Sequence, residues 1–289
     1  MATINAAQPA GRRFSMLAAM ARALALNEHA VWWPSTLYQT TTLDLRGAGT
    51  RVLVDPGISP WEIEEVVAGH ADPVGDVLVT HADWDHVMAL PALPDARVTA
   101  SAAAAERIDS GEAQRSVEEQ TREVGVSYGP LELLRVDDPV EAPAERTVGG
   151  WQMIFRPGPG HTPDGLIVSI PEASLLVVGD YLSEMEIPAS YHSVEDYRNT
   201  VQTLIGVIER ERPQFVVVGH GRPLTSERAL QIADEDLDYV EAILAYAAAG
   251  CDPAHAERIA VPQRGGARYD DESHARNVAI ACSGVAAPA

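Results

Sequence analysis

The stretch Thr80-His81-Ala82-Asp83-Trp84-Asp85-His86 directly follows the largely apolar run Asp76-Val77-Leu78-Val79. An apolar run that gives way to polar residues is typical of a buried strand that leads into a loop. This loop carries His81, Asp83, Asp85 and His86, and imidazole and carboxylate groups are the usual ligands of Zn²⁺, Fe and Mn²⁺. The stretch therefore predicts a metal site at the end of a strand. The alternative is a polar loop in which Asp85 caps the following helix.

Three later segments carry further candidate ligands, and the last two of them repeat this arrangement. Two apolar runs each end in a glycine that is followed by a side chain able to bind a metal, Asp180 in one and His220 in the other. His161 lies in the loop Gly158-Pro159-Gly160-His161-Thr162-Pro163, between two strand-like runs. Glycine lets the backbone turn sharply where a strand ends. Together, the four segments predict a site that is assembled at one edge of a sheet.

In this order the segments resemble the pattern of the metallo-β-lactamase superfamily of metallohydrolases: His-x-His-x-Asp-His, a Gly-His-Thr loop, Gly-Asp and a final Gly-His. The resemblance covers Val31 to Pro223. It implies an α/β fold, an αβ/βα sandwich of two mixed β-sheets flanked by helices. It also implies two divalent metal ions, the first held by His81, Asp83 and His161, the second by Asp85, His86 and His220, with Asp180 bridging them.

The chain departs from the family pattern at Asp83, which stands where the family usually has its second histidine. Zn²⁺ is the metal that the resemblance implies, but a harder and negatively charged ligand favours Fe or Mn²⁺ as alternatives. Flavodiiron-type members of the superfamily have a glutamate at this position and bind two irons. A site that has lost one of its two metals is a further alternative.

The resemblance implies a hydrolase that acts on a small ester, lactone or thioester through a hydroxide shared by the two metals. Asp85 would orient the nucleophile or accept its proton, and Asp180 would set the distance between the metals. A phosphodiesterase, a non-haem di-iron redox protein that takes electrons from an external donor, and a binding protein with an inactive site are the alternatives. The chain lacks the Gly-x-Ser-x-Gly motif, which makes a serine hydrolase a poor match.

Four residues outside the ligand set are candidates for contact with the substrate. Trp84 lies between ligands, where it could line the pocket or pack on the sheet edge. Tyr181 follows Asp180, and related lactonases have a tyrosine near this point. His192 lies in a loop that follows a strand end, where functional residues are common. Arg222 could pair with an anionic substrate or form a structural ion pair.

Composition excludes some classes of partner. The formal charge of −21 argues against nucleic acid, because phosphate binding needs a basic surface, and leaves a small-molecule substrate as the expectation. No apolar run approaches the 18 or more residues needed to span a membrane, so no membrane partner and a cytoplasmic location are predicted. Cys251 and Cys282 lie in Ala-rich segments and are interpreted as separate small fillers, without a disulfide. The sequence predicts no oligomeric state.

The domain organisation is predicted to be simple. Residues 1–28 form an N-terminal helical extension with an amphipathic helix over Ser15–Leu26, and residues 29–289 form a single domain with C-terminal helices. Asp55, in the Asp55-Pro56-Gly57 turn, either shapes that turn or supports the metal loop from behind. The polar segment Ser110–Glu123 is either an exposed helix or a mobile insertion, and Asp270–Ala281 is the last predicted helix.

Overall fold

Two mixed β-sheets pack face to face in the computed structural model, which describes residues 23–47, 49–57, 59–125, 131, 134–256, 258–264 and 267–283. The apolar core between the sheets includes Leu43, Val54, Phe155 and Val168, all with 1% of their surface exposed or less. Two further apolar clusters lie on the outer faces, where helices cover each sheet. This architecture is the predicted αβ/βα sandwich.

The first sheet has seven strands, which follow one another in chain order. The first four strands pair antiparallel and the remaining ones pair parallel to their neighbours. The strands are β1 (Leu24–Ala25), β2 (Ala30–Pro34), β3 (Thr41–Leu45), β4 (Arg51–Val54), β5 (Val74–Leu78), β6 (Arg97–Ser101) and β7 (Asp138–Val140). The parallel part is buried on both faces, which explains why β5 ends in the unbroken apolar run of the opening motif.

The second sheet has five strands, in the order β12, β11, β10, β9, β8, and only β11 and β12 pair parallel. Its strands are β8 (Ala144–Val148), β9 (Trp151–Pro157), β10 (Leu166–Ile170), β11 (Leu175–Gly179) and β12 (Phe215–Val218). β9 and β11 both pair antiparallel to β10, so they run in the same direction. The carboxyl ends of β9, β11 and β12 therefore meet at one edge.

The described α-helices connect the strands and follow the last strand of the second sheet. They are α1 (Pro60–Ala68), α2 (Trp84–Val87), α3 (Ala102–Asp109), α4 (Glu112–Val124), α5 (Val194–Glu211), α6 (Ser226–Ala248), α7 (Pro253–Ala256) and α8 (Ala267–Cys282). α4 settles the choice left open for the 110–123 segment in favour of a helix. No helix in the described part of the chain is long and apolar enough to cross a membrane.

The two sheets are joined by hydrogen bonds at the edge where the motif loops meet. The Thr41 amide donates to the Gly219 carbonyl at 2.7 Å, and the Leu166 amide donates to the Thr80 carbonyl at 2.8 Å. Each bond ties a strand of one sheet to a loop that leaves the other. This edge therefore brings together chain segments that are far apart in sequence.

Two sequence-based predictions are wrong. The predicted N-terminal helix does not include Leu24 and Ala25, which form β1 and pair with β2; backbone pairing at the sheet edge outweighs the local helical pattern there. Residues 1–22 of the predicted extension lie outside the described residues.

Cys251 and Cys282, interpreted as separate fillers, form a disulfide because the ends of α6 and α8 lie side by side. Disulfides persist chiefly in oxidising compartments, so this bond gives no support to the predicted cytoplasmic location.

A buried ion pair anchors α1 to the first sheet, and its loss is expected to be costly. Arg51 is 1% exposed and donates to both carboxylate oxygens of Asp44, at 2.7 and 2.9 Å, and to the carbonyls of Val66 and Val67. Asp44→Ala would leave this guanidinium buried without its counter-ion, so we expect the free energy of unfolding to fall by about 3–5 kcal/mol in urea denaturation. Arg46→Ala removes a partly exposed partner of the same carboxylate and should cost less than about 1 kcal/mol. Equal losses would contradict the assignment.

Candidate metal centre

All seven predicted ligands meet at the shared edge of the two sheets. His81 and Asp83 follow β5, and Asp85 and His86 lie within the short helix α2. The remaining three lie in the loops that follow β9, β11 and β12: His161, Asp180 and His220. Among the described residues, four groups of three have ligand atoms that all lie within 4.8 Å of one another, and two of these groups include Asp180. The other two are His81, Asp83 and His161, and Asp85, His86 and His220. These groups have the same members as the two ligand sets that the sequence predicts.

The first group places two imidazoles around one carboxylate. Asp83 Oδ2 lies 3.4 Å from His161 Nε2 and 3.8 Å from His81 Nε2. In the second group, Asp85 Oδ2 lies 3.3 Å from His220 Nε2 and 3.9 Å from His86 Nε2. In both groups the ring nitrogens face the carboxylate across a gap wider than a hydrogen bond between well-placed partners.

The Asp180 carboxylate lies between the two groups. Its Oδ2 atom is 3.2 Å from His161 Nε2, 3.3 Å from His220 Nε2 and 3.6 Å from His81 Nε2, and its Oδ1 atom is 3.2 Å from His86 Nε2. Asp180 can face both groups because the preceding strand ends at Gly179 in the left-handed conformation, with φ of 61°. A side chain at Gly219 would collide with Asp180, which explains the glycine before His220.

Backbone carbonyls hold two of the imidazoles in place. His161 Nδ1 lies 2.6 Å from the Ala189 carbonyl, and His220 Nδ1 lies 3.0 Å from the Tyr38 carbonyl. A carbonyl oxygen only accepts, so each Nδ1 must carry the proton and donate it. The Nε2 atom of each ring is then free to act as a ligand, the arrangement that metal-binding histidines usually have.

Asp55 supports the other two imidazoles. Its carboxylate accepts hydrogen bonds from the Thr80 amide and the Thr80 hydroxyl, each at 2.7 Å, and lies 3.1 Å from His86 Nδ1. The same hydroxyl lies 3.0 Å from His81 Nδ1. Asp55 therefore both shapes its turn, with φ of 50°, and orients the metal loop from behind. The two roles left open by the sequence are held by one residue.

Several buried polar atoms in the site lack hydrogen-bond partners, as expected for atoms that bind metal ions. His81 Nε2, His86 Nε2, His161 Nε2 and Asp180 Oδ1 are buried and have no hydrogen-bond partner. An unpartnered polar atom costs about 1–3 kcal/mol when buried, so four that converge on one point need an explanation. Cations between the rings and the carboxylates would satisfy all of them.

The electrostatics of the site also favour cations. Burial alone would lower the pKa of His220, but the Asp180 and Glu186 carboxylates outweigh it and raise the pKa to about 10. Burial likewise opposes the charged forms of His86 and His161, but the nearby carboxylates outweigh it and raise the pKa of both residues well above the usual range. Conversely, the four imidazoles hold the pKa of Asp180 well below its usual value in spite of burial. The carboxylates thus draw positive charge into the site, and bound metals would take the place of these protons.

Asp83 has a cationic partner outside the ligand cluster. Arg107 Nη2 donates to Asp83 Oδ1 at 2.9 Å, and Nη1 donates to Asp164 Oδ1 at 2.6 Å. Asp164 is buried and also accepts from the Ala82 amide at 2.7 Å. Asp83 therefore has one oxygen on the arginine and the other toward His81 and His161. Arg107 offsets the extra negative charge that an aspartate brings in place of a histidine.

The capping alternative for the opening motif is wrong. Asp85 lies within α2 rather than before it, and the residue at the N-cap position is Asp83. The Asp83 side chain makes no capping hydrogen bond to the helix. The carboxylates are held by groups at the edge of the sheets instead, such as the Thr40 hydroxyl that donates to Asp85 Oδ2 at 3.2 Å.

A cavity of about 270 Å³ opens onto the ligand cluster. Trp84 lines it, which is one of the two positions that the sequence left open for this residue. Seven further lining residues were not predicted from the sequence: Tyr38, Gln120, Glu186, Tyr191, Tyr269, Glu272 and Arg276. Glu186 Oε1 lies 3.9 Å from His220 Nδ1, and burial raises the pKa of Glu186 even though His220 opposes it, with the Asp180 and Asp85 carboxylates acting in the same direction as burial. Tyr191 adjoins the predicted His192, but neither Glu186 nor the residues of α8 stand in a recognisable motif.

The other predicted substrate contacts do not line this cavity. The Tyr181 hydroxyl accepts from the His161 amide, and its single proton faces the Gly158 and Pro159 carbonyls at 3.0 and 2.8 Å, so it braces the His161 loop. His192 lies near Asp196 on the surface, and Arg222 is exposed. Substrate contact through Tyr181, His192 or Arg222 stays a prediction.

The family model of the metallo-beta-lactamase superfamily matches residues 36–220, which include all seven ligand candidates. The chain belongs to the metallo-beta-lactamase superfamily. A comparison with curated proteins found no match. Members of the superfamily are generally metal-dependent hydrolases.

Solved structures of low identity share the fold. A metallo-beta-lactamase family protein from Thermus thermophilus has a TM-score of 0.62 at 19% identity, covering 88% of this chain and 93% of that one. A stereoselective inverting sec-alkylsulfatase from Pseudomonas sp. has a TM-score of 0.68 at 13% identity, covering 89% of this chain and 49% of that one. TTHA1623, solved in a di-iron-bound form, has a TM-score of 0.55 at 23% identity, covering 69% of this chain and 98% of that one. At such low sequence identity, the structural similarity establishes a shared fold and no more.

Proposed function

We propose that this member of the superfamily is a dinuclear metal-dependent hydrolase of a small ester, lactone or thioester. One observation carries the proposal: two groups of three ligand-type side chains lie around the central Asp180 carboxylate, and three of their imidazole Nε2 atoms and one oxygen of that carboxylate are buried without hydrogen-bond partners. The site lies at the edge where strands end and loops converge, and it opens to a cavity of small-molecule size.

His81, Asp83 and His161 would hold one metal, and Asp85, His86 and His220 the other, with Asp180 shared between them. Two divalent cations at such a site supply a Lewis acid for the substrate oxygen and lower the pKa of a bound water toward 7. Zn²⁺ is the first choice for the nitrogen ligands, while Asp83 favours Fe or Mn²⁺.

The side chains of the chain itself would orient the reaction. Asp85 Oδ2 accepts from the Thr40 hydroxyl at 3.2 Å, which limits the rotation of the carboxylate and aims it at His220. In that orientation Asp85 would hold the nucleophilic water and accept its proton. Asp180 would set the spacing of the two metal sites, since its two oxygens face different imidazoles. Trp84 and Tyr38, whose rings are in edge contact with centroids 5.7 Å apart, wall the cavity.

A di-iron redox protein is the second candidate, supported by Asp83 and by a structural neighbour in a di-iron-bound form. A phosphodiesterase receives less support. The described lining of the cavity contains five carboxylates, and Arg276 is its only arginine. A phosphodiester would need more basic groups than this.

Metal content and turnover together test the proposal. We expect about two metal ions per chain after purification without chelators, measured by inductively coupled plasma mass spectrometry. Removal by a chelator should abolish hydrolysis of a panel of lactones, thioesters and carboxylic esters, and re-addition of Zn²⁺, Mn²⁺ or Fe²⁺ should restore it. Two irons with reversible redox behaviour and no hydrolysis would favour the second candidate. Less than one metal per chain would contradict both.

A further inference from the structure

The C-terminal helix α8 adds a cation to the cavity from outside the matched family region. α8 spans Ala267–Cys282, whereas the family match ends at residue 220. Among the described residues that line the cavity, Arg276 is the only one with a permanent positive charge. Its charge therefore comes from a part of the chain that the metal-binding fold does not require.

α8 is held firmly against the loop beside the metal centre. Asn277 accepts from the Ser190 amide at 2.8 Å and donates to the Pro188 carbonyl and to the Tyr239 hydroxyl, at 2.5 and 3.1 Å. The disulfide between Cys251 and Cys282 ties the end of the helix to the segment after α6. Arg276, one residue before Asn277, is thus carried on a rigid element, as a specificity-determining residue should be.

The guanidinium of Arg276 is positioned but not neutralised. Its Cζ atom lies 4.1 Å from the centroid of the Tyr191 ring, a cation–π contact that orients the guanidinium plane. Its Nη1 atom is buried and has no hydrogen-bond partner, and Arg276 makes no ion pair within 4.0 Å with any residue that the structure describes. A buried guanidinium nitrogen without an acceptor is unusual, since guanidinium groups normally bind carboxylates or carbonyls.

The Arg276 guanidinium lies only a short distance from the candidate metal ligands. The Tyr191 ring that carries the guanidinium also makes an edge contact with the His161 imidazole, with centroids 5.2 Å apart. One aromatic ring therefore separates the cation from a candidate metal ligand. If a hydrogen-bond acceptor of the substrate binds Arg276 while a carbonyl of the same substrate lies at the metal centre, the two groups would be connected by a short carbon chain.

We propose that Arg276 binds a carboxylate at the far end of the substrate, so that the enzyme acts on small esters, lactones or thioesters of dicarboxylic acids. This inference rests on the proposed hydrolase function and names the substrate class of that site. A planar guanidinium can take a carboxylate with two parallel hydrogen bonds, which adds both affinity and orientation. Glu186 and Glu272 line the same cavity and would repel an anion. Arg276 and the metal sites are therefore the two places in the cavity where an anion would be attracted.

A matched pair of substrates tests the inference. The first substrate is the mono-para-nitrophenyl ester of glutaric acid, which carries a free carboxylate. The second is the same para-nitrophenyl ester with that carboxylate converted to a methyl ester, so the acyl chain is the same and the charge is absent. For the metal-loaded enzyme we expect kcat/KM to favour the anionic ester by at least about tenfold. Arg276→Gln should lower kcat/KM for the anionic ester by about 10–100-fold, mainly through KM, and change the neutral ester by less than about twofold. Arg276→Lys should retain part of the preference.

Binding of glutarate and acetate provides a second readout that does not depend on turnover. Isothermal titration calorimetry should show that glutarate binds the metal-loaded protein more tightly than acetate, and that Arg276→Gln removes the difference. Arg97→Gln is the control, because it removes a cation at the start of β6, at the opposite edge of the sheet, and should change neither readout. Thermal denaturation of all variants checks that the fold is retained.

The two proposals can fail separately. If both esters are hydrolysed and Arg276→Gln changes neither the substrate preference nor glutarate binding, the inference is overturned and the hydrolase proposal stands. If neither ester is hydrolysed but glutarate binding depends on Arg276, the carboxylate site stands and the ester hydrolase proposal loses its support. Equal binding of glutarate and acetate by the unmodified protein would also overturn the inference.

Discussion

Asp180→Asn is expected to lower kcat/KM by at least about 10³-fold and to reduce the metal content from two ions per chain to one or fewer. The substitution keeps the shape of the side chain but removes the charge that faces four imidazoles. Asparagine has one uncharged oxygen and an amide nitrogen in place of the two carboxylate oxygens, so it cannot serve as an anionic ligand shared between the two groups. Steady-state kinetics and metal analysis on the same preparation measure both effects.

The control for this variant is Asp196→Asn, a similar change on the partly exposed first turn of α5. It should leave the metal content and kcat/KM within about twofold of the unmodified protein, as is usual for surface substitutions. Circular dichroism and the urea midpoint should show that Asp180→Asn remains folded. A folded Asp180→Asn protein with two metals and full activity would rule out the shared-ligand role.

Arg107→Gln is expected to lower metal affinity by about 10–100-fold, the range typical when a group that orients a metal ligand is removed. Arg107 holds Asp83 Oδ1 and is itself only 15% exposed, so its loss would leave that carboxylate free to rotate and its charge without a partner outside the cluster. Competition against a chromogenic chelator measures the affinity. Glu112→Gln removes the exposed third partner of Arg107 and should leave the affinity unchanged. Equal affinities of Arg107→Gln and the unmodified protein would contradict the role.

The double variant Asp83→His, Arg107→Gln extends this prediction to metal identity. It replaces a carboxylate and its counter-charge by a neutral imidazole and a neutral amide, so the net charge of the cluster is preserved. We expect the ratio of Zn²⁺ to Fe²⁺ affinity to rise relative to the unmodified protein, because imidazole is the softer ligand. Asp83→His alone should bind both metals more weakly than the double variant, since it leaves the Arg107 charge beside the metals. An unchanged metal preference in the double variant would show that Asp83 does not set metal identity.

Much of the candidate site could be predicted from local sequence, for a reason that the structure makes plain. His81, Asp180 and His220 each follow a short apolar strand at or near a glycine or a tight turn, and these strands run in the same direction where they meet. Parallel strand ends lie at one edge of a sheet, so the order of the segments already implied that the side chains converge. Asp55 was visible for the same reason, although its contacts to Thr80 and His86 were not.

The remaining features depend on contacts between segments that carry no common signal. Leu24 and Ala25 form a strand because an edge of the first sheet is available to them. Cys251 and Cys282 pair because α6 and α8 pack with their ends together. Glu186 and Arg276 reach the cavity because Asn277 fixes α8 against the 188–190 segment. None of these contacts could be predicted from residue spacing, since each rests on how two distant surfaces fit.

The division follows the range of the interactions involved. Metal ligands at strand ends are set by short motifs, because backbone direction, a turn and a side chain able to bind a metal all lie within a few residues. The charge balance around Asp83, supplied by Arg107, and the cation that α8 brings to the cavity arise between residues many positions apart. Those pairings form only when the packed core brings the helices to the sheet edge, and we expect the choice of metal and substrate to depend on them.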